Sequence, residues 1–272
     1  MASPSERFSD LILPVADIAH SLPISGPAFT RPDTATLERL RAISSATASA
    51  LLHRMGVRRT FIQGPLPRQP GARIIGPAIT LQFMPQREDV VSGVGQEHTE
   101  KVSALWAVFE TVQPGDVLAV QAFGDPTTGC MGEMLLTYFH GRGGAGVVVD
   151  GCIRDWPHVQ EIGVPVWTRG FTPNYASQAG LFPWAYNVPI ACGGVLVLPG
   201  DIVIADDDGA VLVPRHMADL LIEHGGAHED WEVFSRMKLA EGGSLLKYYP
   251  LNDEGWAEYE AWRKAQHDGG AA

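Results

Sequence analysis

Basic residues are scarce in this sequence. Lys and Arg number 20 against 31 Asp and Glu, a net charge of −11 over 272 residues, with the acids spread along the chain. Binding to nucleic acid needs clustered Lys and Arg, so that class of partner is not expected. A small anionic substrate remains compatible, because one or two local cations suffice for it. Cysteine is scarce too: Cys130, Cys152 and Cys192 form no CxxC pair. Neither a zinc knuckle nor a dithiol redox motif follows, and a low, odd count suits a reducing compartment. No zinc site is expected from the His residues. No apolar run approaches the roughly 18 residues of a membrane span. The opening MASPSERFSDLILPVADIAHSLP lacks a basic start followed by a long apolar core, so no secretory signal is expected. The expectation is a soluble cytoplasmic protein without a membrane partner.

Apolar material is ample. Hydrophobic residues make up 45% of the chain and charged residues 19%, the balance of a globular protein with a real core. Residues 1–33 are rich in Pro and Ser and read as an extended arm. Apolar spacing predicts one helix over Thr34–Met55, another over His98–Val112 and a third over Met131–His140. A short helix is expected at Pro157–Ile162 and a long one at Met217–Ala240, broken at Gly225-Gly226. Strands are expected in TFIQG, ARIIGPAITLQF, PGDVLAVQAF, GAGVVVD and VPVWTRG. Three more lie within 193–214, joined by PGD and DDDG turns. A polar, peripheral helix should follow Pro250. Strands and helices that alternate in the middle and then give way to consecutive strands predict a layered α/β domain. Its bounds are read as 34–225, with 226–272 as a C-terminal helical extension.

Two segments place polar residues in apolar surroundings. GDPTTGCMGEMLL, Gly124 to Leu136, is Gly-rich and runs into a helix. A helix N-terminus presents unpaired N–H groups that hold a carboxylate or phosphate. Glu133 at that start also fits a plain structural role, since a first-turn acid favours the helix dipole. The other segment is VVVDGCIRDW, Val147 to Trp156. Arg154 reads either as a surface cation or as a bidentate grip on a substrate carboxylate. Asp155 reads either as a helix N-cap or as a ligand for a hard cation. Pro157 prefers the first helical position, which would leave Asp155 one residue outside the cap. The Asp150-Gly151 step is expected to turn the chain so that both charges face a cleft. On this segment alone, cap and reaction centre both stand.

Twenty residues separate Glu133 from Arg154-Asp155. The spacing resembles the acid-x20-Arg-Asp signature of the class II pyruvate aldolases of the RraA-like superfamily. These act on 4-hydroxy-4-methyl-2-oxoglutarate and 4-carboxy-4-hydroxy-2-oxoadipate. RIIGPAITL, PGDVLAV, GAGVVVDGCIRD, GVPVWTRGFTP, NVPIACGGVLVLPGD and IVIADDDGAVLVP look like family blocks in family order, over roughly residues 35–225. The resemblance implies a β/β/α swivelling-type fold, a homotrimer or homohexamer, and a site at the subunit interface. It implies Mg²⁺ or Mn²⁺ on Asp155 and the pyruvyl carboxylate and enolate oxygen on Arg154. It further implies substrate held by backbone N–H groups of Gly132, Glu133, Met134 and Leu135, with Glu133 orienting a metal-bound water. The implied reaction is retro-aldol cleavage releasing pyruvate, with oxaloacetate decarboxylation as a side activity. An acid from a neighbouring subunit's C-terminal helix is also implied, and Glu229 and Glu232 are the candidates.

Two departures bear on the rest of the substrate. Ala50 stands where many relatives carry Asp, and the tail from about 226 is longer than in a minimal member. Two alternatives stay open. One is a lyase or hydratase acting on a 2-keto-3-deoxy sugar acid. The other is a non-catalytic regulator of ribonuclease E, which shares the fold. No GxGxG loop follows a strand with a later acid, so a methyltransferase is not expected.

Overall fold

The computed structural model describes residues 21–91, 103–176 and 180–269. Its strands are β1 (Ile24–Ser25), β2 (Phe61–Ile62), β3 (Leu66–Pro67), β4 (Ile74–Pro85), β5 (Val117–Gln121), β6 (Gly146–Ile153), β7 (Val166–Phe171), β8 (Leu181–Tyr186), β9 (Ile190–Cys192), β10 (Val195–Val197), β11 (Ile202–Asp206) and β12 (Gly209–Val213). Its helices are α1 (Thr34–Leu40), α2 (Ser45–Arg54), α3 (Ala104–Glu110), α4 (Glu133–Gly141), α5 (Trp156–Ile162), α6 (Ala218–Ala240), α7 (Leu245–Tyr248) and α8 (Asp253–Gly269).

The long strand β4 belongs to two sheets at once. Its first residues pair antiparallel with β11, from Ile74↔Ala205 to Pro77↔Ile202. Beyond them it pairs parallel with β5, starting at Ala78↔Val117, and antiparallel with β8. The strand order is β2-β12-β11-β4-β5-β6-β7-β3. Gly76 sits where β4 changes partners. A Cβ there would lie 2.0 Å from the Gly115 carbonyl oxygen, so only glycine allows this approach.

Alternation along the strands then builds three cores. Leu118, Val120, Val147 and Val149 point one way, to Leu105, Val108, Phe109, Leu136, Phe139 and Val159 of helices α3, α4 and α5. Val117, Ala119 and Val148 point the other way, into a core shared with Val203, Ala205 and Leu212 of the antiparallel strands. Ile202, Ile204, Val211 and Val213 face outward again, under Leu40, Leu51, Leu52, Leu221 and Ile222 of α1, α2 and α6. The result is a mixed α/β single domain with a β/β/α arrangement, whose second sheet is covered by helices from both ends of the chain.

Several elements differ from the sequence expectation. Thr34–Met55 is two helices, because Ser44 acts as an N-cap and its hydroxyl accepts the Thr47 N–H at 3.1 Å. In contrast, α6 runs unbroken through Gly225-Gly226. A Cβ on Gly225 would lie 2.5 Å from Ile43 Cδ1, so this glycine serves close helix packing rather than a break. The described part of the helix expected from His98 starts at Ala104, and 92–102 lie outside the described residues. So do residues 1–20 of the N-terminal arm. The rest of the arm pairs β1 with β8, and Arg31 bonds the buried Asp116 at 2.7 Å. The last helix joins none of these three cores; its Tyr259 packs with Trp231 and Phe234 of α6 and with Leu251 in a small core of their own.

Candidate active site

The site forms where β6 ends. On one side of that end, the chain after β5 returns as an added strand. Gly129 bridges Cys152 in parallel, the Cys130 N–H donates to the Cys152 carbonyl at 2.9 Å, and the Arg154 N–H donates to the Met131 carbonyl at 2.9 Å. On the other side the Thr172 N–H donates to the Ile153 carbonyl at 3.0 Å. Backbone hydrogen bonds on both edges thus fix Arg154 beside Gly132, the residue that opens α4.

The Asp150-Gly151 step does not turn the chain, contrary to the expectation. β6 continues through it with a bulge, Val149 pairing with Thr168 and Cys152 with Gly170. A Cβ on Gly151 would lie 2.8 Å from Ala122 Cβ, so the bulge needs glycine. The Asp150 carboxylate accepts the Gly193 N–H at 2.9 Å and pairs with Arg169 at 2.5 Å, which makes it a structural anchor.

The turn comes at Asp155, which is left-handed at φ 58°, ψ 31°. Such a conformation costs a non-Gly residue of order 1–3 kcal/mol and persists only where the surroundings impose it. Asp155 occupies the N-cap position of α5, not the position outside it that Pro157 suggested. Its carbonyl accepts the His158 and Val159 N–H groups, both at 3.0 Å, yet its carboxylate makes no capping bond. The carboxylate instead folds back over Gly132: a Cβ there would lie 2.3 Å from Asp155 Oδ2 and 2.9 Å from Arg154 Cγ. Arg154 Nε stands 3.3 Å from the same oxygen, and the two side chains are 35% and 39% exposed. Trp156 packs beside the pair, stacked on Phe171 at 4.7 Å, with the Arg68 guanidinium 5.0 Å from the Phe171 ring.

Arg154, Gly132, Met134 and Leu135 line one cavity of about 210 Å³, together with Met131 and Trp106. Glu133 is the first residue of α4, between two lining residues, and Asp155 adjoins the cavity through its contact with Gly132. Gly132 has no side chain to cap α4, so the first N–H groups of that helix have no intrahelical partner and suit an anion. Trp106 and the rest of the α3 wall escaped the sequence reading, because nothing in that helix signals a site.

No group of three or more His, Cys, Asp and Glu gathers to cage a metal ion among the described residues. The donor set nevertheless fits a hard divalent cation. Mg²⁺ commonly binds through one or two carboxylates and completes its octahedron with water and substrate oxygens, and the Asp155 carboxylate, which caps no helix and pairs with Arg154, offers a ligand of that kind. His224 and His228 do stand four residues apart on α6, but His228 bonds Glu232 at 3.1 Å and gathers no third ligand among the described residues. Burial pushes the thiols of Cys130 and Cys152 up, which leaves them poor nucleophiles.

The two acids expected to serve a neighbouring site are engaged within their own chain. Glu229 accepts the Ser44 N–H at 3.1 Å. Burial resists its ionisation, but hydrogen bonds from Thr47 and Ser44 prevail and hold its pKa below the ordinary value. Glu232 pairs with His228.

The family model that matches this chain is RraA-like, described as Aldolase/RraA, over residues 37–212. The chain belongs to the RraA-like family. The crystal structure of Streptomyces coelicolor RraAS2, described as an unusual member of the RNase ES inhibitor RraA protein family, is 56% identical. It superposes with a TM-score of 0.71 and covers 77% of this chain and 100% of that one. An uncharacterised Pseudomonas syringae protein shares the fold, at 22% identity, TM-score 0.69 and coverage of 82% and 96%. A Halalkalibacterium halodurans relative named "Putative 4-hydroxy-4-methyl-2-oxoglutarate aldolase" is 33% identical over 157 residues, 58% of this chain and 67% of that protein. A Thermus thermophilus 4-hydroxy-4-methyl-2-oxoglutarate aldolase is 35% identical over 108 residues, 40% of this chain and 65% of that protein. The chain thus matches about two thirds of the length of these two relatives.

Proposed function

We propose that this RraA-like protein is a divalent-metal-dependent lyase that cleaves 4-hydroxy-2-oxo acids and releases pyruvate. The observation that carries the reading is the fold-back of Arg154 and the left-handed Asp155 over Gly132. A guanidinium and a helix N-terminus thus border one small cavity, and the Asp155 carboxylate, paired with Arg154, lies against its wall at Gly132. The aldolase names of two relatives support the same reaction class.

Arg154 and the first N–H groups of α4 bind the pyruvyl carboxylate, and the guanidinium also faces the 2-oxo oxygen where negative charge develops. A divalent cation held by Asp155 supplies Lewis acidity at that oxygen when bound. Glu133 orients a water that takes the C4 hydroxyl proton. The C3–C4 bond then breaks, its electron pair passes to the pyruvyl fragment, and C3 takes up a proton. Oxaloacetate decarboxylation uses the same binding groups and the same electron flow. Assembly as a homotrimer or homohexamer belongs to the same proposal.

The test is pyruvate release, measured by coupling to lactate dehydrogenase, in Arg154→Lys. An ammonium cannot reproduce the planar two-bond grip, so the rate should fall about 100-fold or more with the fold intact by circular dichroism. A near-wild-type rate removes Arg154 from the mechanism. The 56% identity to RraAS2 favours a second reading, a non-catalytic partner of an RNase-E-type ribonuclease. Tight binding to that enzyme by a protein that turns over no oxo acid would favour it.

A further inference from the structure

The left-handed turn at Asp155 has no support from its own side chain, which caps nothing. Asp bears such a backbone more readily than most residues, but still at a cost, so the turn is held through its neighbours. Before it, the Arg154 N–H is bonded to the Met131 carbonyl and the Ile153 carbonyl to the Thr172 N–H. After it comes Trp156, the first residue of α5. The indole stacks on Phe171, the last residue of β7, with ring centroids 4.7 Å apart and planes 21° from parallel. Phe171 pairs with Ile153 in the parallel ladder and carries the Arg68 guanidinium over its ring at 5.0 Å. Arg68 is itself tied to β7. Its backbone N–H donates to the Val166 carbonyl at 2.9 Å and its Nη2 to the Thr168 carbonyl at 2.8 Å. A line of contacts thus runs from Arg68 through Phe171 and Trp156 to the turn.

We infer that Phe171 is a positioning residue: its stack on Trp156 imposes the left-handed turn at Asp155 and so keeps the Asp155 carboxylate over Gly132. Only the effect on turnover rests on the aldolase reading of the site. Phe171 does not line the Arg154 cavity, so it acts through Trp156 and not on substrate. Its side chain is 41% exposed, which leaves it a small part in the core. A stacked aromatic pair is worth about what such a turn costs, so the presence of the ring decides the balance. The Arg68 guanidinium adds a cation–π attraction that orients the ring. Without the ring, Trp156 is free to swing from β7 and Asp155 relaxes to an ordinary backbone conformation. Its carboxylate then leaves Gly132 and the Arg154 Nε.

The test pairs Phe171→Ala with Phe171→Tyr, which keeps the stack, both in the full chain. Crystal structures of the two variants read the turn directly. Asp155 should leave the left-handed region in Phe171→Ala and keep it in Phe171→Tyr. Pyruvate release reads the consequence. In Phe171→Ala kcat should fall about 10- to 100-fold, and half-activation should need about tenfold more Mg²⁺. Phe171→Tyr should restore both. In a Trp156→Ala background, Phe171→Ala should cost nothing further, because the ring acts through the indole. A left-handed Asp155 over Gly132 in the Phe171→Ala structure overturns the inference. So does a turn that moves with no loss of rate, an equal loss in Phe171→Tyr, or a full further loss in the Trp156→Ala background. A wild-type chain that releases no pyruvate overturns the aldolase reading instead, and the crystal structures still decide whether Phe171 sets the turn.

Discussion

Gly132 lets Arg154 and Asp155 close over the start of α4, because any side chain at 132 would occupy the place of the Asp155 carboxylate. Gly132→Ala should therefore push the pair away from the cavity. A displacement near 1 Å costs about 100-fold in rate, so pyruvate release should fall by that order, while circular dichroism shows the helices retained. A wild-type rate would mean that the Asp155 position seen here is not needed for turnover. At this scale the sequence was informative about the charges and poor about the geometry. The resemblance carried by the spacing from Glu133 to Arg154-Asp155 pointed to three residues; in the structure Arg154 and Asp155 lie over Gly132, the neighbour of Glu133. The left-handed turn was not legible, because Pro157 suggested a different cap and an Asp at positive φ has no sequence signature. Trp106 was not legible either, since an aromatic in an amphipathic helix reads as core.

Between elements, buried polar contacts set the joints. The break between α1 and α2 is stabilised twice, by the Ser44 cap and by Glu229 reaching across from α6 to the Ser44 N–H. Glu229→Gln should cost about 1 kcal/mol at neutral pH. The Glu229 pKa is lowered in the folded chain, so its contribution is complete above the unfolded value of about 4.3 and is lost as pH falls through the folded value. The difference in thermal midpoint between wild type and variant should accordingly shrink between pH 7 and about pH 3. An equal difference at both would show that the carboxylate charge plays no part. Sequence periodicity could not find this joint, because Thr34–Met55 keeps one apolar face through the break and the partner acid lies 185 residues away.

For the whole molecule, strand alternation was the legible part. The buried β-branched runs around β5, β6 and β11 predicted a layered α/β domain, and their two faces supply separate cores. The short pairings were not legible: β3 and β8 each contain proline, and β1 has two residues. The aromatic core of α6, α7 and α8 was hidden by a polar composition, since Trp231, Phe234 and Tyr259 are spread thinly among charges. No helix among the described residues is long and apolar enough to cross a membrane. The central claim is that the intact chain is a metal-dependent, pyruvate-releasing lyase. It is tested most directly by pyruvate formation from a panel of 4-hydroxy-2-oxo acids and oxaloacetate, with Mg²⁺ and then with excess chelator. The account predicts release that the chelator abolishes and added Mg²⁺ restores. No pyruvate from any member of the panel, or release indifferent to the chelator, would contradict it.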